Sequence, residues 1–428
     1  MVHLNCYRFE IPIMKYYKTD IGDGKMRDNS KAQNIHVLLL PSWYPTATNA
    51  VAGVFVKHQA IALKKAGAKV GIIYSHFRSL REFNFSALTD NHFQISFSEE
   101  DDIPTLRFCG WNIPRLRLEP ILWKCQNERL FRRYIRHFGK PDLIHAHSVL
   151  WGGVAAMGIA QHWDIPYIVT EHASSFARGL IQSWQEPIIR RVIKNANYVL
   201  SVSKGLADLL IPYADGKKIE VVPNVVDTDF FKLPIIQRKT NPFRFLSVAM
   251  LTPKKGIDVL LRAFARAFNQ TDEVILEIGG DGEQRPELQA LAKSLNIENQ
   301  VKFLGLLSRE QVQEAMWRAN AFVLPSYFET FGVVLIEAMA TGLFVIATNR
   351  GGPEEFIKPV NGLLVEPGNA VELSKALRNV YDHRFELGKK EKEIRKYIVD
   401  NYSYRVIAEK LLKYYNQVQS SHHGDIGV

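Results

Sequence analysis

Residues 35–40 (IHVLLL) are apolar almost without interruption and stop at Pro41, the pattern of a strand buried on both faces of a parallel sheet. A glycine-containing loop follows, then a helical period over residues 55–66 and a second apolar run over 69–74, so the chain opens with a β-α-β unit. The pattern recurs with strands over 142–145, 167–170 and 198–202 and a small-residue-rich helix over 152–161. It restarts beyond a proline- and charge-containing stretch, 228–242, which reads as a hinge. There, strands over 244–248, 274–278, 301–303 and 321–324 alternate with helices over 256–268, 284–295 and 309–319. Alternation of this kind predicts an α/β protein with doubly wound parallel sheets, and two series predict two Rossmann-like domains facing a central cleft, 34–230 and 243–403. A last helix, 404–419, is expected to cross back towards the first domain, and residues 1–33 read as a weakly ordered leader.

Composition narrows the class. At 428 residues the chain is long enough for two or three domains, and 46% hydrophobic residues exclude intrinsic disorder. Three scattered cysteines, Cys6, Cys109 and Cys125, suit a reducing, cytoplasmic setting better than a disulfide framework. The most apolar window, 319–347, carries Glu329 and Glu337, which argues against a membrane span.

The net charge of +10 changes the picture only locally. Nine basic residues against two acidic ones fall in 105–140, and the rest of residues 1–230 balances. No recognition motif accompanies the patch, so nucleic-acid binding is not expected. Within it Leu130, Phe131, Tyr134, Ile135 and Phe138 form a stripe at helical spacing, with Arg129, Arg132, Arg133 and Arg136 largely opposite. This reads first as a sheet-packing helix with a solvated basic face. The second reading is a contact with an anionic membrane surface, helped by Trp111 and Trp123.

The chemistry concentrates in 325–342, PSYFETFGVVLIEAMATG, where a strand gives way to a short loop and a helix opening near Phe331 and Gly332. Unpaired N–H groups at a helix start suit an anion such as a diphosphate. Glu329 precedes the helix and Glu337 lies along it, a spacing that suits separate hydroxyl-binding roles rather than an acid/base pair. Lys255, in PKKG at another predicted helix start, can neutralise charge on a departing diphosphate. In the first half, Gly53 lies in a strand-to-helix loop where a missing side chain permits close approach, and His172 follows the carboxyl end of a buried strand. His145 and His147, on the neighbouring strand end, rank below His172.

E-x7-E followed by A-M-A-x-G, with its first glutamate in S-x-x-E-T-F-G, resembles the retaining GT-B glycosyltransferases of family 4, the group 1 glycosyl transferases. PDLIHAHS, YIVTEHASS, VVPNVVDTDFF, PKKGIDVLL, IGGDGEQRPEL, GGPEEFI and GLLVEPGN follow the same order, and the resemblance covers nearly all of residues 34–418. It implies a metal-independent hexosyltransferase without a cofactor, taking a nucleoside diphosphate sugar as donor and a sugar or lipid-linked sugar as acceptor, in polysaccharide or glycolipid assembly. It places His172, Glu329 and Lys255 at the reaction centre. Around the donor it places Gly53, Met250, Lys254, the backbone of Phe331, Gly332 and Val333, and Glu337, which would bind the ribose. Met250 stands where the family usually has an arginine, so another cation is required if the diphosphate is to be held. Val225 replaces a common glycine in the P-N-x-V-D loop. Asp227-Thr228-Asp229 matches a metal-binding D-x-D but falls inside that loop pattern, and metal binding there is not expected. A GT-B sugar-nucleotide epimerase and a non-catalytic nucleotide-sugar-binding protein are the alternatives.

Overall fold

A computed structural model describes residues 35–46, 49–79, 93–112 and 119–424. The expected leader and the arginines at 115 and 117 lie outside the described residues.

The first half runs β1 (His36–Pro41), α1 (Val54–Lys65), β2 (Lys69–Ser79), β3 (Ile95–Glu100), β4 (Ile103–Asn112), α2 (Glu119–Phe138), β5 (Leu143–His147), α3 (Gly152–Trp163), β6 (Tyr167–Glu171), α4 (Glu186–Asn195), β7 (Tyr198–Ser201), α5 (Lys204–Leu210) and β8 (Ile219–Val221). These strands form one sheet in the order β3-β4-β2-β1-β5-β6-β7-β8. All neighbours are parallel except β3 and β4. The central strands are buried on both faces, which is why they read as continuous apolar runs.

The second half runs β9 (Phe243–Val248), α6 (Ile257–Ala267), β10 (Val274–Gly279), α7 (Arg285–Ser294), β11 (Val301–Gly305), α8 (Arg309–Arg318), β12 (Ala321–Leu324), α9 (Val333–Ala340), β13 (Phe344–Thr348), α10 (Pro353–Phe356), β14 (Gly362–Val365), α11 (Ala370–Asp382), α12 (Arg384–Tyr402) and α13 (Tyr404–Gly424). Its sheet is parallel throughout, in the order β11-β10-β9-β12-β13-β14. In each sheet the strand order reverses beside the first strand, between β1 and β5 and between β9 and β12. The carboxyl ends at such a reversal leave a crevice for ligands.

One margin of the first sheet departs from the sequence reading. β2 continues five residues beyond 74 and pairs with β4 from Ile72 to Ser79, and β3 adds an antiparallel edge to β4. Their residues, SHFRS, ISFSEE and IPTLRFCGWN, mix polar and apolar side chains because this margin is only partly covered, so no apolar run announces them. α9 begins at Val333, directly after Gly332, where the sequence reading opens it.

The basic helix α2 buries Leu130, Phe131 and Tyr134 and turns Arg129, Arg132, Arg133 and Arg136 to solvent. Trp123, offered by sequence as an interfacial residue, is 8% exposed and packs on Phe77, so it belongs to the core. α13 lies on α1, where Ile407, Leu411, Tyr415 and Val418 join Val56, Ala60 and Leu63 in one apolar cluster. Two histidine–tyrosine hydrogen bonds fix it there: His58 Nδ1 with Tyr404 Oη at 2.5 Å and His145 Nδ1 with Tyr415 Oη at 2.6 Å.

Candidate active site

On the second sheet, a tight approach of backbone to backbone builds the site. Gly256 has φ +62°, and a Cβ there would stand 2.3 Å from the Pro325 carbonyl oxygen, so only glycine lets the PKKG turn lie against the end of β12. Tyr327 N donates to Lys254 O at 2.9 Å and locks the turn to the following loop. Lys255 Nζ consequently reaches Glu329 Oε1 at 2.5 Å, and Ser326 Oγ donates to the same oxygen at 2.7 Å. Both bonds fall on one oxygen, which leaves Oε2 for a hydroxyl group. The Glu329 backbone is held independently, donating to Arg350 O at 3.3 Å and accepting from Gly352 N at 2.9 Å. The Lys255 and Glu329 side chains are only 19% and 12% exposed, so the pair acts in a medium that screens poorly.

Lys254 is pushed below the usual lysine range by burial and by the charges of Lys255 and Arg178, with Glu329 opposing. Arg178 follows β6, so the first domain brings a cation to the donor-side lysines. Met250 is 45% exposed just after β9, with no charge to contribute.

At α9, Gly332 takes φ +90° as the residue preceding the helix, whose first N–H groups have no partners within it. Phe331 anchors this start by packing on Phe356 and Tyr402 at 5.3 and 5.9 Å. Because the helix opens at Val333, Glu337 lies little more than one turn along it. Burial pushes its carboxyl up to about 7, while the Arg309 guanidinium pulls the other way. Glu329 and Glu337 thus serve different surroundings, one ion-paired and one close to neutral.

Beyond Arg178, the first domain contributes a pair of neutral histidines. His172 stacks on Phe55 at 4.3 Å, and its Nε2 lies 3.1 Å from His147 Nδ1. Burial, with His145 adding to it, lowers His172 to about 3 against the opposing effect of Asn224, and burial likewise holds His147 well below its ordinary value. Both rings are therefore neutral at physiological pH, and His172 can offer or accept a hydrogen bond but not act as an imidazolium. Among the described residues, His172 Nδ1 and His147 Nε2 are buried and have no hydrogen-bond partner. His145, also buried and lowered to about 3, is occupied by Tyr415 and Thr170.

Sequence reasoning passed over Glu171. Its carboxylate accepts from Ser148 Oγ, Val149 N, His172 N and Ala173 N at 2.6–2.8 Å, tying the loops after β5 and β6 together beneath His172. Burial still raises its carboxyl against those four donors. The signal was present as the middle residue of T-E-H, where the histidine drew the attention.

Gly53 has a packing role of its own. At φ +65°, a Cβ would stand 2.0 Å from the Trp43 carbonyl oxygen, so this glycine closes the loop after β1 upon itself. Asp227 of the D-x-D is held by the Arg309 guanidinium at 2.9 Å and accepts from Phe230 N at 3.1 Å. Burial would raise it, but Arg309 and Phe230 outweigh that and keep it below the carboxylate range. The two halves also meet where Lys204 N, at the start of α5, donates to Glu355 of α10.

Comparison with known proteins agrees with this layout. The family profile described as "Glycosyl transferases group 1" matches residues 229–417, and that described as "Glycosyltransferase Family 4" matches 52–230. The D-inositol 3-phosphate glycosyltransferase of Corynebacterium jeikeium is 30% identical over 317 residues, covering 66% of this chain and 74% of the relative. The putative teichuronic acid biosynthesis glycosyltransferase TuaC of Bacillus subtilis is 26% identical over 381 residues, covering 81% and 89%. Among solved structures, Anabaena HepE in complex with UDP superposes with a TM-score of 0.69 at 20% identity, over 90% of this chain and 100% of that one. The two sheets, the cleft chemistry and these matches lead to one conclusion: the chain belongs to the group 1 glycosyltransferases, on a GT-B fold.

Proposed function

We propose that the protein transfers a hexosyl group from a nucleoside diphosphate sugar to an acceptor hydroxyl with retention of anomeric configuration, in polysaccharide or glycolipid assembly. The observation that carries this is the Lys255–Glu329–Ser326 cluster between the PKKG turn and the start of α9. In this reading the α9 N–H groups, Lys254 and Lys255 receive the diphosphate, and Arg178 of the first domain supplies the charge that Met250 lacks. Glu329 Oε2 accepts hydroxyls of the transferred sugar, and Glu337 takes the ribose. Neutral His172 lies beside the sugar. The bond from the anomeric carbon to the diphosphate oxygen breaks as the acceptor oxygen bonds to the same face, and the acceptor proton passes to the departing diphosphate. The protein orients the partners and stabilises leaving-group charge, with no protein nucleophile and no metal. HepE was solved with UDP, which favours a uridine donor as the first to try.

In this reading the protein works in the cytoplasm, a setting that its three scattered cysteines suit. The α2 arginines are the surface that would meet an anionic membrane. No helix among the described residues is long and apolar enough to cross one.

The test is a thermal-shift screen of UDP-, ADP- and GDP-sugars, followed by donor turnover and NMR of the product anomer. An α-linked donor sugar should yield an α-linked product. An inverted product overturns retention, an epimerised donor without transfer selects the epimerase, and binding without turnover selects the non-catalytic protein.

A further inference from the structure

The contact between Lys204 and Glu355 stands on the same edge as the reaction centre. α5 follows β7, the neighbour of β6, so its first turn lies beside the segment that carries His172 and Arg178. Ser203 Oγ accepts from Leu206 N at 3.2 Å, and Leu206 and Leu210 are buried, which fixes α5 to the first sheet. From the second domain, Glu355 Oε1 accepts from Lys204 N, and the Gly205 N–H acts on the same carboxylate. The Lys204 ammonium is engaged elsewhere, 3.2 Å from Asp208, so the two domains are joined by a backbone-to-carboxylate bond rather than an ion pair. Behind that bond the backbones come close: a Cβ on Gly205 would stand 3.4 Å from Gly351 Cα.

The loop that carries Glu355 also holds the donor-side glutamate. Gly351 takes φ +96°, and a Cβ there would stand 2.1 Å from Glu329 O, so only glycine lets the loop lie against Glu329. Gly352 N donates to Glu329 O at 2.9 Å, and Glu354 Oε2 accepts from Gly351 N at 2.9 Å. Phe356 is buried and packs on Phe331 at 5.3 Å. Residues 350–356 therefore form one block, with α5 against one side and Glu329 and the start of α9 against the other. Burial raises the Glu355 carboxyl, with the two α5 N–H groups and Lys204 opposing and Asp208 adding to the rise.

We propose that Glu355 is a positioning residue for the transfer: by receiving the first N–H groups of α5 it clasps the two domains together, and through Gly351 the same clasp seats Glu329 for the transferred sugar. The proposal rests on the transferase reading above. Glu355 meets backbone of the first domain and not the reacting groups, so it acts through Glu329 and through closure. Closure matters because the chemistry is divided: Lys254, Lys255, Glu329 and Glu337 belong to the second domain, His172 and Arg178 to the first. Arg178 is exposed, and its charge bears on Lys254 only while the domains are held together. A carboxylate bonded to backbone N–H groups is short and directional, which suits a contact that must set one geometry. Misplacement of reacting groups by about 1 Å is enough to slow a reaction about a hundredfold.

Hydrogen exchange of the full chain, followed by mass spectrometry, reads the clasp without any substrate. In Glu355→Ala the amides of residues 203–207 should exchange about tenfold faster, while Glu355→Gln, which keeps an acceptor oxygen, should stay near the wild-type rate. Function is read with the first of UDP-, ADP- and GDP-glucose that the wild type turns over. Glu355→Ala should lower kcat about tenfold to a hundredfold, yet leave donor affinity by calorimetry within about threefold, because the main donor-binding groups belong to the second domain. Glu355→Gln should keep kcat within about threefold of the wild type. Gly205→Val, whose two γ carbons cannot both clear Gly351, disturbs the contact from the other domain and should show the same loss of kcat at retained affinity. Unchanged exchange or unchanged kcat in Glu355→Ala, wild-type turnover in Gly205→Val, an equal loss in Glu355→Gln, or a fall in affinity that matches the fall in kcat overturns the proposal. A wild-type protein that turns over none of the three donors counts against the transferase reading, and the exchange measurement then decides alone whether Glu355 clasps the domains.

Discussion

The two sheets equip their ligand edges differently. On the second, the charged groups come from two short segments, 254–255 and 326–337, and are fixed by a glycine approach and an ion pair. On the first, Arg178 apart, the groups are aromatic or neutral and come from loops spread between Trp43 and Gln185. A diphosphate demands charge and backbone N–H groups at fixed spacing, whereas a sugar ring can be met by any aromatic face that the fold brings near.

The sharpest way to break that comparison is to remove the charge. Lys255→Ala and Glu329→Ala should each lower turnover about a hundredfold to a thousandfold, the scale on which leaving-group stabilisation acts, with steady-state kinetics as the check. Near wild-type rates in both would mean that the second sheet does not supply the electrostatics.

On the first sheet the expected effect is on architecture. Gly53→Ala places a Cβ against the Trp43 carbonyl at positive φ and should cost about 2 kcal/mol or more in denaturant unfolding. An unchanged midpoint would show that the loop closes some other way.

Glu337 gives a subtler comparison. Its folded carboxyl titrates near 7, above the ordinary carboxylate range, so between about pH 4.3 and 7 the folded state binds more protons than the unfolded one, and this group's contribution to stability falls as pH rises. In the proposed function it is the ionised form that accepts two ribose hydroxyls. Donor affinity measured by calorimetry should therefore tighten from pH 6 to 8, by about tenfold over the whole range, and Glu337→Gln should flatten that dependence.

The smallest effect belongs to the solvated helix face. Arg132 pairs with Glu128 at 3.0 Å one turn away and is 54% exposed, so Arg132→Ala should change unfolding free energy by about 0.3–0.5 kcal/mol.

What the sequence made legible follows the same division. The buried parallel strands declared themselves because both faces are apolar, and Glu329, Glu337 and Lys255 because they are charged residues set at two helix starts beside apolar runs. The β3–β4 margin was hidden by its half-exposed, mixed residues. The four tryptophans that line one cavity of the first domain were hidden for another reason: Trp43, Trp123, Trp151 and Trp184 are far apart along the chain, and each alone reads as core or surface. The basic segment drew attention by composition, yet Arg107 is spent on Glu100 at 2.6 Å and on the Tyr44 ring at 4.8 Å. Charge density along the sequence did not point to the Lys255–Glu329 cluster.

The placement of α13 bears on how the molecule is made. Residues 404–418 fill the cluster over α1, and two of their tyrosines occupy buried imidazoles of the first domain. During synthesis the first sheet can assemble early, but that face stays uncovered until the second domain has emerged and α13 follows it. A fragment ending before the second sheet should therefore expose an apolar face and aggregate, while the same fragment supplied with a peptide of residues 404–424 should be rescued.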